Sequence, residues 1–338
     1  MNNKLTMKSM LGFLQGNTAI LAVLAMMALG TVTYGSTFLN YGKNIYNVIR
    51  MASLIGIMGI GVNLCFFIGG RDLSVGAVAA LTSVVTAYLS NYNVIFGIIG
   101  GLGVGLVFGF INGYVISRFK VQPFIATLGT QLAARGFALL INNEYSIPLL
   151  EGTEFIKKIG NESILNGLVS IPTAVFIILI ALFSFILKYT HFGRSIYAVG
   201  GNEEAAEMMC VRVKAIKLAV FTISGLLAAI SGIILTGRLN AGQPTACEGW
   251  EMTIMAAVVI GGTSVRGGSG KIWGIFFGVV FVQFISNLIN LNGRISAYWQ
   301  DILTGIILLL ALFTQAYQTW RKEKVAERRE LEKQLANS

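Results

Sequence analysis

The residue types that most often carry catalysis are few in this chain and lie far apart. His191 is the single histidine, so it has no second histidine with which to share a metal ion, and no acid–base partner is evident near it. The three cysteines, Cys65, Cys210 and Cys247, have spacings that fit neither a metal site nor a disulfide framework. We therefore expect no catalytic residue, no metal site and no bound cofactor, and a membrane enzyme is the least favoured function.

A glycine-rich run from Gly261 to Lys271 has the composition of a phosphate-binding loop but not its ending. The Walker pattern closes on Lys-Ser or Lys-Thr where a helix opens, whereas Lys271 is followed by Ile272. We predict a tight turn between two helices, with Gly261 and Gly262 as candidate residues of a helix break that takes part in gating. ATP would have to be bound by a different chain.

A polar segment between two strongly apolar runs suggests docking to another protein. Its central residues are Gly200, Gly201, Asn202, Glu203, Glu204, Ala205 and Ala206. The two glycines predict a turn, and Asn202 is predicted to be the N-cap of a helix. The two glutamates that follow suit the positive end of the helix dipole. A short capped helix with small side chains would fit a groove on a partner, and a solvated connecting loop is the equally weighted alternative.

Asp72 is a second informative residue, because a carboxylate beside apolar runs is costly unless it is paired or lies at a surface. It is preceded by Arg71, and we predict that Asp72 caps the following helix with Arg71 as a neutralising neighbour. The alternative is a broken helix that moves or lines a pathway. Its candidate gating residues are then Gly70, Asp72 and Ser74.

The sequence predicts no specific substrate-binding residue. Polar or aromatic side chains near the apolar runs are Asn63, Asn112, Gln131, Gln243, Gln283, Asn287, Trp299 and Gln300. Each is more often an interhelical hydrogen bond than a substrate contact.

The composition indicates that membrane-spanning helices position these segments. Hydrophobic residues make up 55% of the chain and charged residues 12%, and the mean hydropathy is +0.72, whereas soluble domains carry about 25% charge. A span needs ~20 apolar residues, and on that rule we predict about ten spans. Their approximate positions are 18–38, 45–67, 73–90, 94–117, 122–142, 169–188, 216–237, 252–265, 272–289 and 298–317. Residues 68–72 and 239–251 either re-enter the membrane or lie outside it.

The lysines and arginines predict the orientation of these spans. If the N-terminus is inside and the spans alternate, the inner side holds roughly threefold more of them than the outer side. Residues 1–317 are then a polytopic membrane domain with both ends cytoplasmic, 189–215 a cytoplasmic loop, and 318–338 a charged cytoplasmic tail. The net charge of +10 lies at the ends of apolar runs, which indicates orientation in membrane lipid and not binding of nucleic acid.

Glycines recur every four residues at Gly97, Gly101, Gly105 and Gly109. Small residues on one face let helix backbones approach closely in lipid. We predict tight helix packing along this face, not a channel lining.

Five sequence blocks, in order along the chain, resemble the permeases of bacterial ABC importers for ribose, galactose, xylose and related sugars. Gly200-Gly201-Asn202-Glu203-Glu204-Ala205-Ala206 is similar to the coupling-loop motif of that family, and the other blocks lie at 69–76, 123–136, 239–264 and 296–300. The chain departs from the family pattern at Cys210, where the family often has a glycine that ends the helix. Arg71 likewise replaces an apolar residue.

This resemblance implies an all-α integral membrane protein with the fold of type II ABC-importer permeases, in the bacterial plasma (inner) membrane. Residues 200–206 would form the coupling helix that docks on a separate ATPase subunit. A second permease subunit, identical or paralogous, would complete the path for a monosaccharide. An extracellular or periplasmic sugar-binding protein would dock outside.

The alternative function is a self-contained secondary transporter for a small polar solute. Such transporters usually need acidic residues within their spans. Asp72, Glu251 and Asp301 all fall at predicted span ends, which disfavours this alternative.

Overall fold

The computed structural model describes residues 18–165, 167–294, 296 and 298–336. Residues 1–17, which include Lys4 and Lys8 of the predicted inner N-terminus, lie outside the described residues, as do residues 337–338 of the predicted tail.

The described chain is built mainly from helices. In order they are α1 Thr18–Tyr34, α2 Ser36–Leu39, α3 Tyr46–Phe67, α4 Val75–Ser90, α5 Val94–Phe119, α6 Pro123–Leu140, α7 Glu154–Asn161, α8 Ile171–Tyr189, α9 His191–Gly201, α10 Glu203–Met208, α11 Val213–Leu239, α12 Trp250–Ile260, α13 Gly274–Asn292 and α14 Trp299–Ala336. A π-helical turn, Tyr41–Ile45, precedes α3. The α14 helix runs without a break from the predicted last span into the predicted tail.

Two small antiparallel ladders tie together the connections between helices. Strand β1, Ile147–Pro148, pairs with β4, Ala241–Gly242, and β2, Ser163–Ile164, pairs with β3, Val169–Ser170. The described part of the long connection predicted over residues 143–168 therefore contains one short helix, α7, and two short strands, β1 and β2.

Each predicted span overlaps a helix of 11 residues or more. The helix ends differ from the predicted ends by a few residues, except that α14 continues to Ala336. Among the described residues, α3, α5, α8, α11 and α13 are long and apolar enough to cross a membrane. Shorter apolar helices occur at Ala19–Tyr34, Val75–Ser90, Trp250–Ile260 and Trp299–Thr314. The chain is thus a multi-pass helical bundle, with α4 and α12 as its shorter members.

Helices α3 and α11 form the centre of the bundle. Nearly all of α3 beyond Ala52 is buried, and Ser231 Oγ on α11 donates a hydrogen bond to the Leu54 carbonyl at 2.9 Å. The glycine face of α5 packs on α11, since a Cβ added at Gly105 would overlap the Gly225 carbonyl oxygen and one added at Gly109 would lie 2.7 Å from the Phe221 carbonyl oxygen. The prediction of tight packing along this face is confirmed.

The connections gather at two ends of the bundle. At the lower end, defined here by Phe67, Gly200 and Gly268, the α3–α4, α9–α10 and α12–α13 connections touch one another. At the upper end, defined by β1 and β4, the 143–168 connection meets the α11–α12 connection. The loops predicted to share one side of the membrane are therefore grouped at one end.

Candidate functional site

The polar segment that follows α8 is folded into two consecutive helices, α9 and α10. Gly200 and Gly201 are the last residues of α9 and do not form the predicted turn. Asn202 is confirmed as an N-cap, since its Oδ1 accepts a hydrogen bond from the Ala205 amide at 2.9 Å. An N-cap bond of this kind satisfies one of the free amide donors at the start of a helix, and it fixes where α10 begins.

Helix α10 ends at Met208, and its C-terminal turn closes at Cys210, the position where the sequence departs from the family pattern. Cys210 has φ 60°, in the left-handed region, and the Val211 amide bonds back to the Ala206 carbonyl at 3.0 Å. This is the geometry that glycine usually supplies at a helix C-terminus. Cys210 therefore adopts the left-handed conformation that glycine usually adopts at this position, which is energetically less favourable for a residue with a Cβ.

The outer face of α10 is polar at its start and apolar at its end. Glu204 is exposed, and Met208 and Met209 are 85% and 81% exposed. Ala206 is buried against the chain's own core, so it cannot belong to the exposed docking face. Glu203 is held by Lys217 at 2.7 Å in an ion pair that ties α10 to α11. The sequence analysis missed the methionine pair, although two adjacent methionines in a polar connection were a visible signal.

Behind α10, three connections meet in what we call the glycine junction, formed by Phe67–Gly70, Tyr197–Gly201 and Gly267–Gly270. The Gly268 amide donates to the Phe67 carbonyl at 2.9 Å, and a Cβ at Gly200 would overlap that same carbonyl oxygen. The Tyr197 hydroxyl donates to the Gly270 carbonyl at 3.1 Å. Burial raises the pKa of Tyr197, which keeps this donor protonated.

From the glycine junction the chain enters the bundle and forms a buried polar network. Asp72 Oδ1 accepts from the Ser74 amide at 2.9 Å and from Ser74 Oγ at 2.6 Å, and Oδ2 accepts from Ser224 Oγ at 2.7 Å. Asn112 donates to Ser74 Oγ at 2.9 Å, and Thr130 donates to Asn112 Oδ1 at 2.7 Å. The network thus joins the start of α4 to α5, α6 and α11.

The position of Asp72 differs from the expectation in two respects. Ser74 is the residue that precedes α4, and Asp72 serves the helix start by accepting the Ser74 amide from two residues earlier. Arg71 is exposed and makes no ion pair with Asp72 among the described residues, so its predicted neutralising role is wrong. Ser224 lies about 16 Å along α11 from Val213, so the break at 68–74 enters the bundle.

The connection at 243–249 enters the bundle from the upper end. Arg135 on α6 bonds the carbonyls of Pro244 and Ala246, the latter at 2.8 Å. A Cβ at Gly76, near the start of α4, would lie 2.7 Å from the Cys247 carbonyl oxygen. Residues 243–249 therefore pack inside the helical bundle.

The amino ends of α4 and α12 consequently meet inside the bundle. Glu251, in the first turn of α12, is 8% exposed and accepts a hydrogen bond from Gln131 at 2.9 Å. Its Oε2 is buried, has no hydrogen-bond partner among the described residues, and would lie 2.9 Å from a Cβ at Gly76. Carboxylates favour the positive ends of helix dipoles. Asp72 and Glu251 therefore lie at helix starts, as the sequence predicted, but both are buried inside the bundle.

Gly261 and Gly262 form the predicted turn after α12. Gly262 has φ 88°, a conformation suited to glycine, and a Cβ at Gly274 on α13 would overlap the Gly261 carbonyl oxygen. The two helices therefore cross closely at the lower end.

A polar cleft of about 410 Å³ opens at the upper end among α3, α12, α13 and α14. Trp250 and Thr253 of α12 and Gln283 and Ser286 of α13 line it. The side chains of Trp250, Gln283 and Ser286 make no hydrogen bond to any other residue in the described part of the chain. These side chains are therefore available to hydrogen-bond water or a polar ligand in the cleft.

The other polar residues noted in the sequence mostly bond within the protein. Asn63 accepts from Thr263 at 2.8 Å, Asn287 and Asn44 pair with each other, and Gln300 donates to Asn290 at 2.9 Å. Together with Asn112 and Gln131, these residues support the expectation that such groups are chiefly interhelical hydrogen bonds. Gln283 differs because its side chain lines the cleft and makes no hydrogen bond to another described residue.

Comparison with known proteins agrees with this architecture. A family model described as the permease component of a branched-chain amino acid transport system matches residues 44–312. The ribose import permease protein RbsC of Bacillus subtilis is 39% identical over 80% of this chain and 83% of its own length. RbsC of Escherichia coli K12 is 36% identical over 89% and 93%. The L-arabinose transport system permease protein AraH of the same strain is 36% identical over 92% of each chain.

No solved structure gave a significant match. The family model covers most of the chain, and its relatives align over nearly their whole lengths. With its multi-pass helices, this chain therefore belongs to the family of membrane permease components described as those of the branched-chain amino acid transport system.

Proposed function

We propose that this chain is the translocation subunit of an ATP-driven importer that carries a monosaccharide across a bacterial plasma membrane. The observation that carries the proposal is helix α10, a capped helix with an exposed outer face, backed by the glycine junction in a permease-family chain. The named substrates of the relatives, ribose and arabinose, support a sugar as the solute.

In this proposal the lower end faces the cytoplasm, both termini are cytoplasmic, and about ten helices cross the membrane. A separate ATPase subunit docks on residues 200–206 and on the neighbouring methionines. Glu204 and Met208 lie on the exposed face, whereas Ala206 anchors the helix from inside. The sugar-binding protein docks at the upper end, and a second permease subunit, identical or paralogous, completes the path in the lipid.

Movement of α10 would reach the bundle through Gly200, which touches the Phe67 carbonyl. Phe67 ends α3, and the chain continues directly to Gly70, Asp72 and Ser74, the proposed gating break. Gly261 and Gly262 flank the same junction through the α12–α13 turn. Because packed cores are bistable and not continuously deformable, a small push here can be amplified into a change of access.

One observation supports the alternative of a self-contained secondary transporter, namely the buried carboxylates of Asp72 and Glu251. Interior acidic residues often mark ion coupling. The described Asp72 is fully hydrogen-bonded by serines, however, which suits a structural helix break.

The test is uptake of D-ribose and L-arabinose into proteoliposomes that contain this chain together with its ATPase and sugar-binding partners. We expect uptake only when ATP is present on the ATPase side and the binding protein on the other. Accumulation driven by an ion gradient, in vesicles that hold this chain alone, would contradict the proposal and favour the secondary transporter.

A further inference from the structure

We infer that the polar cleft at the upper end is a binding site for one neutral monosaccharide, which the sugar occupies on its way through the permease. This inference rests on the proposed function and assigns residues to its substrate. Its first support is size, since about 410 Å³ falls within the range of ~300–1,000 Å³ typical of small-molecule sites.

The second support is the set of hydrogen-bonding groups left available in the cleft. Gln283, Ser286 and Thr304 come from different turns of α13 and α14 and line the same space. None of their side chains bonds to another residue in the part of the chain that the structure describes. An amide and two hydroxyls supply both donors and acceptors, which is what a sugar hydroxyl needs from its partners.

Trp250 adds an aromatic surface to these polar groups. It is partly buried in the lining of the cleft, and its indole N–H makes no hydrogen bond within the described residues. An aromatic side chain with an apolar face and one polar edge suits a ring that carries C–H groups on its faces and hydroxyls at its rim. A wholly apolar solute would leave the surrounding amides and hydroxyls unpaired.

The start of α12 connects the cleft to the interrupted segment between α3 and α4. Gly249 and Trp250 begin α12, and the next residue, Glu251, faces Gln131 and the start of α4. Transporters often bind substrate where interrupted helices meet near the middle of the membrane. A sugar in the cleft would therefore touch Trp250, which is next to Glu251 at the meeting point of α4 and α12. The proposed coupling movement displaces this meeting point.

The charges around the cleft favour a neutral ligand over an anion. Arg238 is opposed by the acidic residues Glu248 and Asp301 in the same lining. A phosphorylated sugar would meet two carboxylates for one guanidinium, whereas a neutral sugar can use all three groups as hydrogen-bond partners.

The first experiment places a thiol in the cleft by Ser286→Cys in the complete importer, held in right-side-out vesicles. We expect a membrane-impermeant methanethiosulfonate reagent to modify this thiol from the outside. Saturating D-ribose or L-arabinose should slow the modification about fivefold or more, because the bound sugar covers the thiol. The unsubstituted chain gives the background, since Cys65 and Cys247 are buried and Cys210 lies at the lower end.

The second experiment compares Gln283→Leu and Thr304→Val with the control Thr314→Val. Thr314 lies on the same helix as Thr304, is exposed away from the cleft, and bonds its hydroxyl to the Ala311 carbonyl at 2.9 Å. We expect Gln283→Leu to raise the sugar concentration for half-maximal uptake about tenfold and Thr304→Val to raise it less. Thr314→Val should leave uptake unchanged.

The outcomes distinguish failure of the proposed sugar site from failure of the proposed importer function. If ATP-driven uptake persists but neither sugar protects the thiol, and Gln283→Leu transports normally, the cleft is not the sugar site and the importer proposal stands. Protection by L-leucine instead of the sugars would also overturn the site. If uptake by the unsubstituted importer needs no ATP, the proposed function itself fails.

Discussion

Glu251 is a buried carboxylate that has one hydrogen-bond donor among the described residues, Gln131 Nε2. We expect Gln131→Leu to lower the free energy of unfolding by about 1–3 kcal/mol, because it removes that donor and leaves both carboxylate oxygens unsatisfied. Chemical unfolding in mixed micelles measures the change. Leu132→Ala, next along α6 but 68% exposed, is the control and should cost less.

A double-mutant cycle distinguishes this explanation from general loss of packing. Suppose that Gln131→Leu lowers the free energy of unfolding because Glu251 loses its hydrogen-bond donor. Adding Glu251→Leu should then restore part of that free energy, because both polar groups are gone. Strict additivity of the two single changes would show that the hydrogen bond between Gln131 and Glu251 contributes nothing.

Single-residue patterns in the sequence predicted the cap at Asn202 because an N-cap depends on its immediate neighbours. They did not predict that Asp72 bonds Ser224, because those residues are brought together only by the crossing of α3, α4 and α11. For the same reason the sequence placed Arg71 beside Asp72, whereas folding separates an exposed guanidinium from a buried carboxylate.

At the element scale, the contact between α9 and the end of α3 allows a comparison of neighbouring glycines. Gly200→Ala would press a methyl group into the Phe67 carbonyl, whereas Gly201 has open space around it. We expect Gly200→Ala to destabilise the protein by about 1–3 kcal/mol. Gly201→Ala should change stability by less than about 1 kcal/mol. Thermal unfolding in detergent compares them, and equal effects would mean that the junction is not tightly packed.

The end of α10 provides a stabilising substitution. Cys210 holds a left-handed conformation that costs a residue with a Cβ about 1 kcal/mol or more. Cys210→Gly should therefore raise the unfolding temperature, and Cys210→Ala, which keeps the Cβ, should leave it nearly unchanged. A lower unfolding temperature for the glycine variant would refute the account of how this helix ends.

At the scale of the whole molecule, apolar runs predicted the helices well because a membrane span is set by local composition. The charge pattern likewise predicted which connections lie together at each end of the bundle. The entry of residues 68–74 and 243–249 into the bundle was left open by the sequence. Their depth depends on partners such as Thr127 and Arg135, which lie more than fifty residues away in the chain.

The polar cleft was also invisible in the sequence. Gln283 and Gln300 are the same residue type and both line the cleft, yet Gln300 bonds Asn290 whereas Gln283 bonds no other described residue. Only the arrangement of α13 against α14 separates these roles. Whole-molecule packing thus decides which polar groups stabilise the bundle and which remain available to a solute.

The central claim is that α10 transmits work from the ATPase partner to the bundle. Simultaneous measurement of ATP hydrolysis and D-ribose uptake in proteoliposomes tests it most directly, with Gly201→Trp and Glu204→Lys as variants. Both residues are exposed, and Gly201 has no neighbour that an added Cβ would meet, so folding should be preserved. The account predicts that sugar transported per ATP hydrolysed falls about tenfold or more. An unchanged ratio in both variants would contradict it.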